Sequence, residues 1–165
     1  MALMVSLIFL VLLTLLAVSA MHGTILQERM AGNTRDRMLA FQAAETALRA
    51  GDALLGNPGL PPNGPGIYMA QPNSSPAAMF TSVQQWDTTY PWITSAATIS
   101  GSLSGVVLQP QYVIERLSTT ASCGALPVLK TLLNTGQGYY RITSRGVGGS
   151  SSAAVILQEI YVRCA

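Results

Sequence analysis

Charge is what this sequence has least of. Only 10% of its 165 residues are Asp, Glu, Lys or Arg, where a soluble domain carries about a quarter. None of them precedes Glu28. The basic residues that follow (Arg29, Arg35, Arg37 and Arg49) are interleaved with Glu28, Asp36 and Glu45. No stripe of one sign results, so the electrostatic footprint of a nucleic-acid partner is missing. Proline is absent before Pro58, so no residue of the first third is barred from a helix. There is one histidine, His22, and there are two cysteines, Cys123 and Cys164. No His/Cys/Asp cluster has metal-ligand spacing, and no C-x-x-C is present, so neither a metal site nor dithiol redox chemistry is expected. The nucleophile-elbow, P-loop and dinucleotide fingerprints are also missing. Gly101–Gly105 and Gly146–Ser152 read as turns. No catalysis and no cofactor are expected.

What is abundant is apolar, and it is concentrated at one end. Met1–Met21 reads MALMVSLIFLVLLTLLAVSAM. About 20 helical residues cross a bilayer core of roughly 30 Å. The hydroxyls of Ser6, Thr14 and Ser19 can bond back to helix carbonyls, so every backbone group can be satisfied in lipid. A cleavable signal peptide is the rival reading, with Val18-Ser19-Ala20 as a small-residue site. Its apolar region would be about 7–15 residues with a basic stretch before it. This run is longer and has no basic residue ahead of it, so a membrane anchor is expected. The flanking arginines follow the span, which by the positive-inside rule would leave the C-terminus inside. A basic leader removed from the front would resolve that conflict.

Helical character continues past the apolar run. Met30, Phe41, Ala44, Leu48 and Leu55 fall within about 40° of one face at 100° per residue, and Glu28, Arg35, Gln42 and Thr46 lie opposite. Glu45 and Arg49 form an i,i+4 pair. Gly51, Gly56 and Pro58 supply the stop. The pattern predicts one helix over about residues 1–54, roughly 80 Å long. Residues 1–22 form its transmembrane half and 23–55 its amphipathic half. Gly23 and Gly32 weaken it by about 1 kcal/mol each relative to Ala.

Residues 56–165 read as a β-rich head. Residues 57–79 are dense in Pro, Gly, Asn and Ser and predict a loop. Weak strand signals occur at Phe80–Val83 and Gly105–Leu108, and better ones at Gln111–Leu117, Tyr139–Ser144 and Ala154–Arg163. In the last, Val155, Leu157, Glu159, Tyr161 and Arg163 alternate with Ile156, Gln158, Ile160 and Val162. Gly146–Ser152 connects the last two strands as a hairpin. The expected class is α+β: a long helix packed by its amphipathic half, through the Met30–Leu55 face, on an antiparallel sheet.

Leu26–Arg49 reads LQERMAGNTRDRMLAFQAAETALR. This resembles the N-terminal signature of the PilX-type minor pilins, and YYRITSRGVGGSSSAAVILQEIYV near the C-terminus resembles the same family's final hairpin. Together the matches cover about the first 50 and the last 27 residues. The resemblance implies the type IV pilin fold, a leader cleaved by a prepilin peptidase, and residence in the inner membrane with the head in the periplasm. It further implies assembly into an extracellular pilus. Its implied partners are other minor pilins and the major pilin, through a bundle of N-terminal helices, and a tip adhesin. Subunits of this family are thought to prime assembly and occupy the pilus tip. Most pilins begin with phenylalanine and carry glutamate at the fifth mature position; Met1 and Val5 stand there instead. The K-type minor pseudopilin of type II secretion, which also lacks that glutamate, is the alternative. It carries a large insertion for which 165 residues leave little room.

Three side-chain sets remain with two readings each. His22 fits a membrane interface better than a metal site, since it has no partner ligands. Trp86, Tyr90 and Trp92 could present an exposed partner surface, or pack a loop over the core. Cys123 and Cys164 would pair in an exported head and remain buried thiols in a cytosolic one. With an exported head expected, a structural disulfide closing about 40 residues follows, contributing roughly 3–4 kcal/mol in the chain-entropy model.

Overall fold

The computed structural model describes residues 2–57, 59, 61–69, 80, 82–118 and 138–163. Cys123 and Cys164, most of the Pro-rich loop and Met1 lie outside them. The chain divides into two compact units, Met1–Asp36 and Arg37–Ala165, the boundary falling within the first helix, α1 (Ala2–Gly56).

The first unit is helix alone. Its hydroxyls are turned back on the backbone: Ser6 Oγ donates to Leu3 O (2.9 Å), Thr14 Oγ1 to Val11 O (2.8 Å) and Thr24 Oγ1 to Met21 O (2.9 Å). This removes the polar cost of those residues in an apolar run. Neither Gly23 nor Gly32 interrupts the helix. A Cβ at either would meet nothing within 4 Å, so neither is required by packing within the chain.

The second unit sets the rest of α1 against one sheet. After α1 come β1 (Ile67–Tyr68), the short helices α2 (Val83–Thr88) and α3 (Trp92–Ser95), β2 (Ala97–Thr98), β3 (Gln111–Ser118), β4 (Gly138–Val147) and β5 (Ala154–Arg163). The strand order is β1-β3-β4-β5, and β2 also pairs with β3. β3, β4 and β5 form an antiparallel meander in which Glu115 faces Arg141 and Ile142 faces Glu159. The β4–β5 turn is closed by Gly148 N–H donating to Ala153 O (2.8 Å). Pairing of β1 with β3 is parallel, so the sheet is mixed rather than wholly antiparallel. β1 lies in the predicted loop; two residues between Pro- and Gly-rich flanks carry no readable period. Gly66, at φ +70°, passes so close to β2 and β3 that a Cβ would come within 2.2 Å of Ala97 N and 2.7 Å of Tyr112 O. Only glycine fits there, by conformation and by space.

A hydrophobic cluster packs on each face of the sheet, though Ile160 and Val162 of β5 are exposed. On one face, Tyr112, Ile114, Tyr140 and Ile142 pack with Ala47, Leu55 and Met69. On the other, Val113 packs with Phe80, Trp86, Tyr90, Trp92 and Ala96. Of the face expected to meet the sheet, Ala44 and Leu55 are buried and Leu48 partly so, but Met30 and Phe41 are not. Ala40, Ala43, Ala44 and Ala47 are fully buried and Leu55 nearly so, and Leu48 is partly buried against the core. Phe41 is 48% exposed and Met30 is 70% exposed. The inward stripe centres on alanines about 95° around the helix from the Met30–Phe41–Leu48 line. Close approach explains the choice: a Cβ on Gly146 would sit 2.2 Å from Ala40 O and 2.3 Å from Ala44 N, so the strand backbone rests on the helix backbone. Only small residues allow that separation.

The Phe80–Val83 and Gly105–Leu108 strand signals do not form strands. Ser82 instead caps α2. Its side chain accepts from Gln85 N–H and the Gln85 side chain accepts from Ser82 N–H, a reciprocal capping box.

Candidate functional site

Up to Leu26 the surface of the first unit is apolar. Leu3, Phe9, Leu13 and Leu16 are each more than half exposed, and no residue of the most apolar stretch is buried inside the chain. By length and composition α1 can cross a membrane. A run of this size cannot stay in water, so lipid or other apolar helices must cover it. Val5 belongs to this exposed run, and no carboxylate occurs before Glu28.

In the second unit the aromatic residues are interior. Trp86, Tyr90 and Trp92 are buried, so they do not form an exposed partner surface; they pack α2 and α3 onto the sheet. Their rings meet at centroid distances of 5.1–6.0 Å in tilted and edge-on arrangements, which suits the ring quadrupoles. Trp92 Nε1–H donates to Trp86 O (2.6 Å) and Tyr90 OH to Ser95 O (2.8 Å). Burial, and then the hydrogen bond to Tyr68, push the Tyr90 hydroxyl well above the ordinary tyrosine range.

Charges that the sequence did not single out line this aromatic layer. Glu115, fully buried on β3, accepts from Arg141 Nε (2.9 Å), and Arg141 Nη2 lies 2.9 Å from the same oxygen. The Arg141 guanidinium is 5.6 Å over the Trp86 ring. Four residues further along β4, Arg145 lies 5.9 Å over Trp92. Gln111 is its cross-strand partner, and the Gln111 amide donates to Trp92 O (3.0 Å). The signal for these residues was a charge inside each strand pattern, at Glu115 in QYVIERL and at Arg141 in YYRITS, but charge alone does not tell an inward side chain from an outward one.

On the other face, two carboxylates share the junction of α1 and β5. Burial raises the Asp52 carboxyl above its ordinary range, and Asp52 Oδ1 is buried without a hydrogen-bond partner. Glu159 is raised too, by burial first and then by the Asp52 charge. Nearby, Arg163 is buried and donates to Asn57 O (2.7 Å), joining the end of β5 to the chain just after α1. Among the described residues no three His, Cys, Asp or Glu side chains group as a metal site.

These features describe an apolar helix for assembly or anchoring and a head with a closed interior. Comparison with known families agrees with that description. A family model described as type IV pilus assembly protein PilX, C-terminal part, matches residues 54–163. A second, described as PilX N-terminal, matches residues 1–49. No curated protein and no solved structure gives a significant match. The long N-terminal helix on a largely antiparallel sheet is the α+β layout of the pilin fold, and the two matches cover nearly the whole chain, which therefore belongs to the PilX family of type IV pilus assembly proteins.

Proposed function

We propose that this protein is a non-catalytic minor pilin that primes pilus assembly and takes a place at or near the pilus tip. In this reading residues 1–22 hold it in the inner membrane as a single span, with residues 23–55 extending the helix and residues 56–165 forming a periplasmic head. On assembly the apolar helix leaves lipid for a bundle of the same segments from other minor pilins and the major pilin, and the head meets a tip adhesin.

The observation that carries the tip reading is Val5 in a run that holds no carboxylate before Glu28. In an apolar bundle, the charged N-terminal amine of one subunit needs a carboxylate from its neighbour, because a buried unpaired charge is costly. A subunit with no neighbour ahead of it has no amine to neutralise. For it a carboxylate would itself be the unpaired charge, and valine is preferred.

The test locates the head in assembled pili by gold-labelled antibody and compares the wild type with Val5→Glu. Label at pilus ends only, with fewer piliated cells in the variant, is expected. Label at intervals along the shaft, or more subunits per filament in the variant, would show that valine does not mark the leading position.

A further inference from the structure

Arg141 and Arg145 project from the same face of β4 against the same aromatic layer, yet they are treated differently. Arg141 has Glu115 as its cross-strand partner and is neutralised by it. At the Arg145 rung the partner is Gln111, whose amide is already engaged with Trp92 O. The Arg145 side chain is only 17% exposed, and its nearest carboxylate oxygen is Asp87 Oδ1, 3.8 Å from Nε and beyond hydrogen-bond range. The buried Nε–H has no acceptor. Asp87 itself is half in solvent. A guanidinium drawn out of water without an in-plane acceptor is a costly arrangement, and a carboxylate is the group that its fork of donors fits.

The space for such a group is present. A shallow cleft of about 330 Å³ has Asp87, Tyr90, Trp92, Ile93, Thr94 and Arg145 among its lining residues. Ile93 is 76% exposed, an apolar side chain standing in water beside a poorly neutralised cation. A small free anion would satisfy the cation and leave Ile93 uncovered. An acidic side chain with an apolar neighbour on a protein surface would satisfy both.

We propose that this cleft is a docking site for another protein, which places a carboxylate on Arg145 and an apolar side chain against Ile93. Asp87 competes for the guanidinium and moves aside, toward solvent, when the partner carboxylate arrives. The site lies on the head and is independent of whether the subunit leads the filament.

The experiment uses full-length protein in detergent micelles and follows the Arg145 Nε–H and Trp92 Nε1–H resonances. The probes are the capped peptides acetyl-Leu-Glu-Leu-amide and acetyl-Leu-Gln-Leu-amide, and sodium acetate. Saturable shifts are expected with the glutamate peptide only, and the affinity, read from Trp92 in every variant, should fall about tenfold or more in Arg145→Gln, the loss of a charge-assisted hydrogen bond. Arg145→Lys should recover part of it, Ile93→Ser should weaken binding, and Asp87→Asn should tighten it by removing the competing carboxylate. Arg145→Gln should melt no lower than the wild type, since the cation it removes is poorly paired. No saturable shift, equal binding of the glutamine peptide, or weaker binding in Asp87→Asn would overturn the proposal. Acetate binding as tightly as the peptide would assign the cleft to a free anion and overturn the protein partner.

Discussion

Gly146 of β4 lies directly on the carbonyl of Ala40 in α1, with no room for a Cβ between them: the atom would come within 2.2 Å of Ala40 O. Neither atom can yield without moving a whole element, because both contacts are backbone. Gly146→Ala therefore separates helix and sheet over the alanine stripe. It should destabilise the head by at least the ~1–3 kcal/mol of a typical overpacked core, read from urea unfolding followed by tryptophan fluorescence. Phe41→Ala, on the half-exposed side of the same helix, should cost much less than the ~3–5 kcal/mol of an enclosed phenylalanine. Equal losses at the two positions would show that the packing face is misassigned.

The Glu115–Arg141 pair makes a second prediction. Replacing Glu115 by Gln leaves the Arg141 cation against the Trp86 ring without its counter-charge. Breaking a buried pair from one side costs about 3–5 kcal/mol. Exchanging both residues for apolar ones of similar volume should cost far less. A full loss in the double variant as well would mean that the residues act through shape rather than charge.

How far these features could be read in advance depends on the length of the pattern that carries them. β5 was expected at Ala154–Arg163 and is found there, because ten residues rich in Val, Ile and Tyr after a Gly/Ser-rich turn have the composition and length of a strand. The long helix was legible from the length of its pattern, and from the absence of proline. Its packing face was legible only in part: of Met30, Phe41, Ala44, Leu48 and Leu55, Ala44 and Leu55 are buried and Leu48 is partly so, while Met30 and Phe41 are exposed and the rest of the contact uses Ala40, Ala43 and Ala47, whose value lies in being small. The two carboxylates at Asp52 and Glu159 were invisible, since the α1–β5 junction joins residues far apart in sequence. Helix α2 does carry a signal in the sequence, the S-x-x-Q box at Ser82–Gln85, which the strand reading of Phe80–Val83 leaves out.

The Asp52–Glu159 junction predicts a pH dependence with a definite sign. Both carboxyls are raised in the folded head, by burial and, for Glu159, also by the neighbouring charge. The folded state thus binds protons more tightly than the unfolded chain. The stabilising contribution of these two groups grows as pH falls through their folded values and is complete below the unfolded ones, about 4. At neutral pH their charged forms oppose folding. Asp52→Asn should stabilise the head at pH 7 and lose that advantage toward pH 4, and Glu159→Gln should do the same more weakly. Unfolding midpoints of wild type and variant compared across that range measure the effect. A variant that is less stable at pH 7 would contradict the sign.

The last prediction concerns the two cysteines, which lie outside the described residues but close in sequence to described strand ends. β3 and β5 both run antiparallel to β4, so they run parallel to each other and leave the sheet at the same end. Ser118 pairs with Tyr139, and Tyr139 with Val162, which puts the ends of β3 and β5 two strand spacings apart, roughly 10 Å. Cys123 follows Ser118 by five residues, and Cys164 follows Val162 by two. Five residues can span up to about 17 Å, so the chain leaving β3 has ample reach to cross the end of β4 to Cys164. A bond there would close the segment between β3 and β4 against the last strand. In an exported head it would contribute about 3–4 kcal/mol in the chain-entropy model. Cys164→Ser and Cys123→Ser should each lower the unfolding midpoint, and the double variant should fall no further than either single one, because both remove the same bond. Protein isolated from the periplasmic side and treated with a thiol-reactive label under denaturing, non-reducing conditions should take up none. Two labels per chain, or additive losses in the double variant, would show that the thiols act separately and that the end of the sheet is held without a covalent tie.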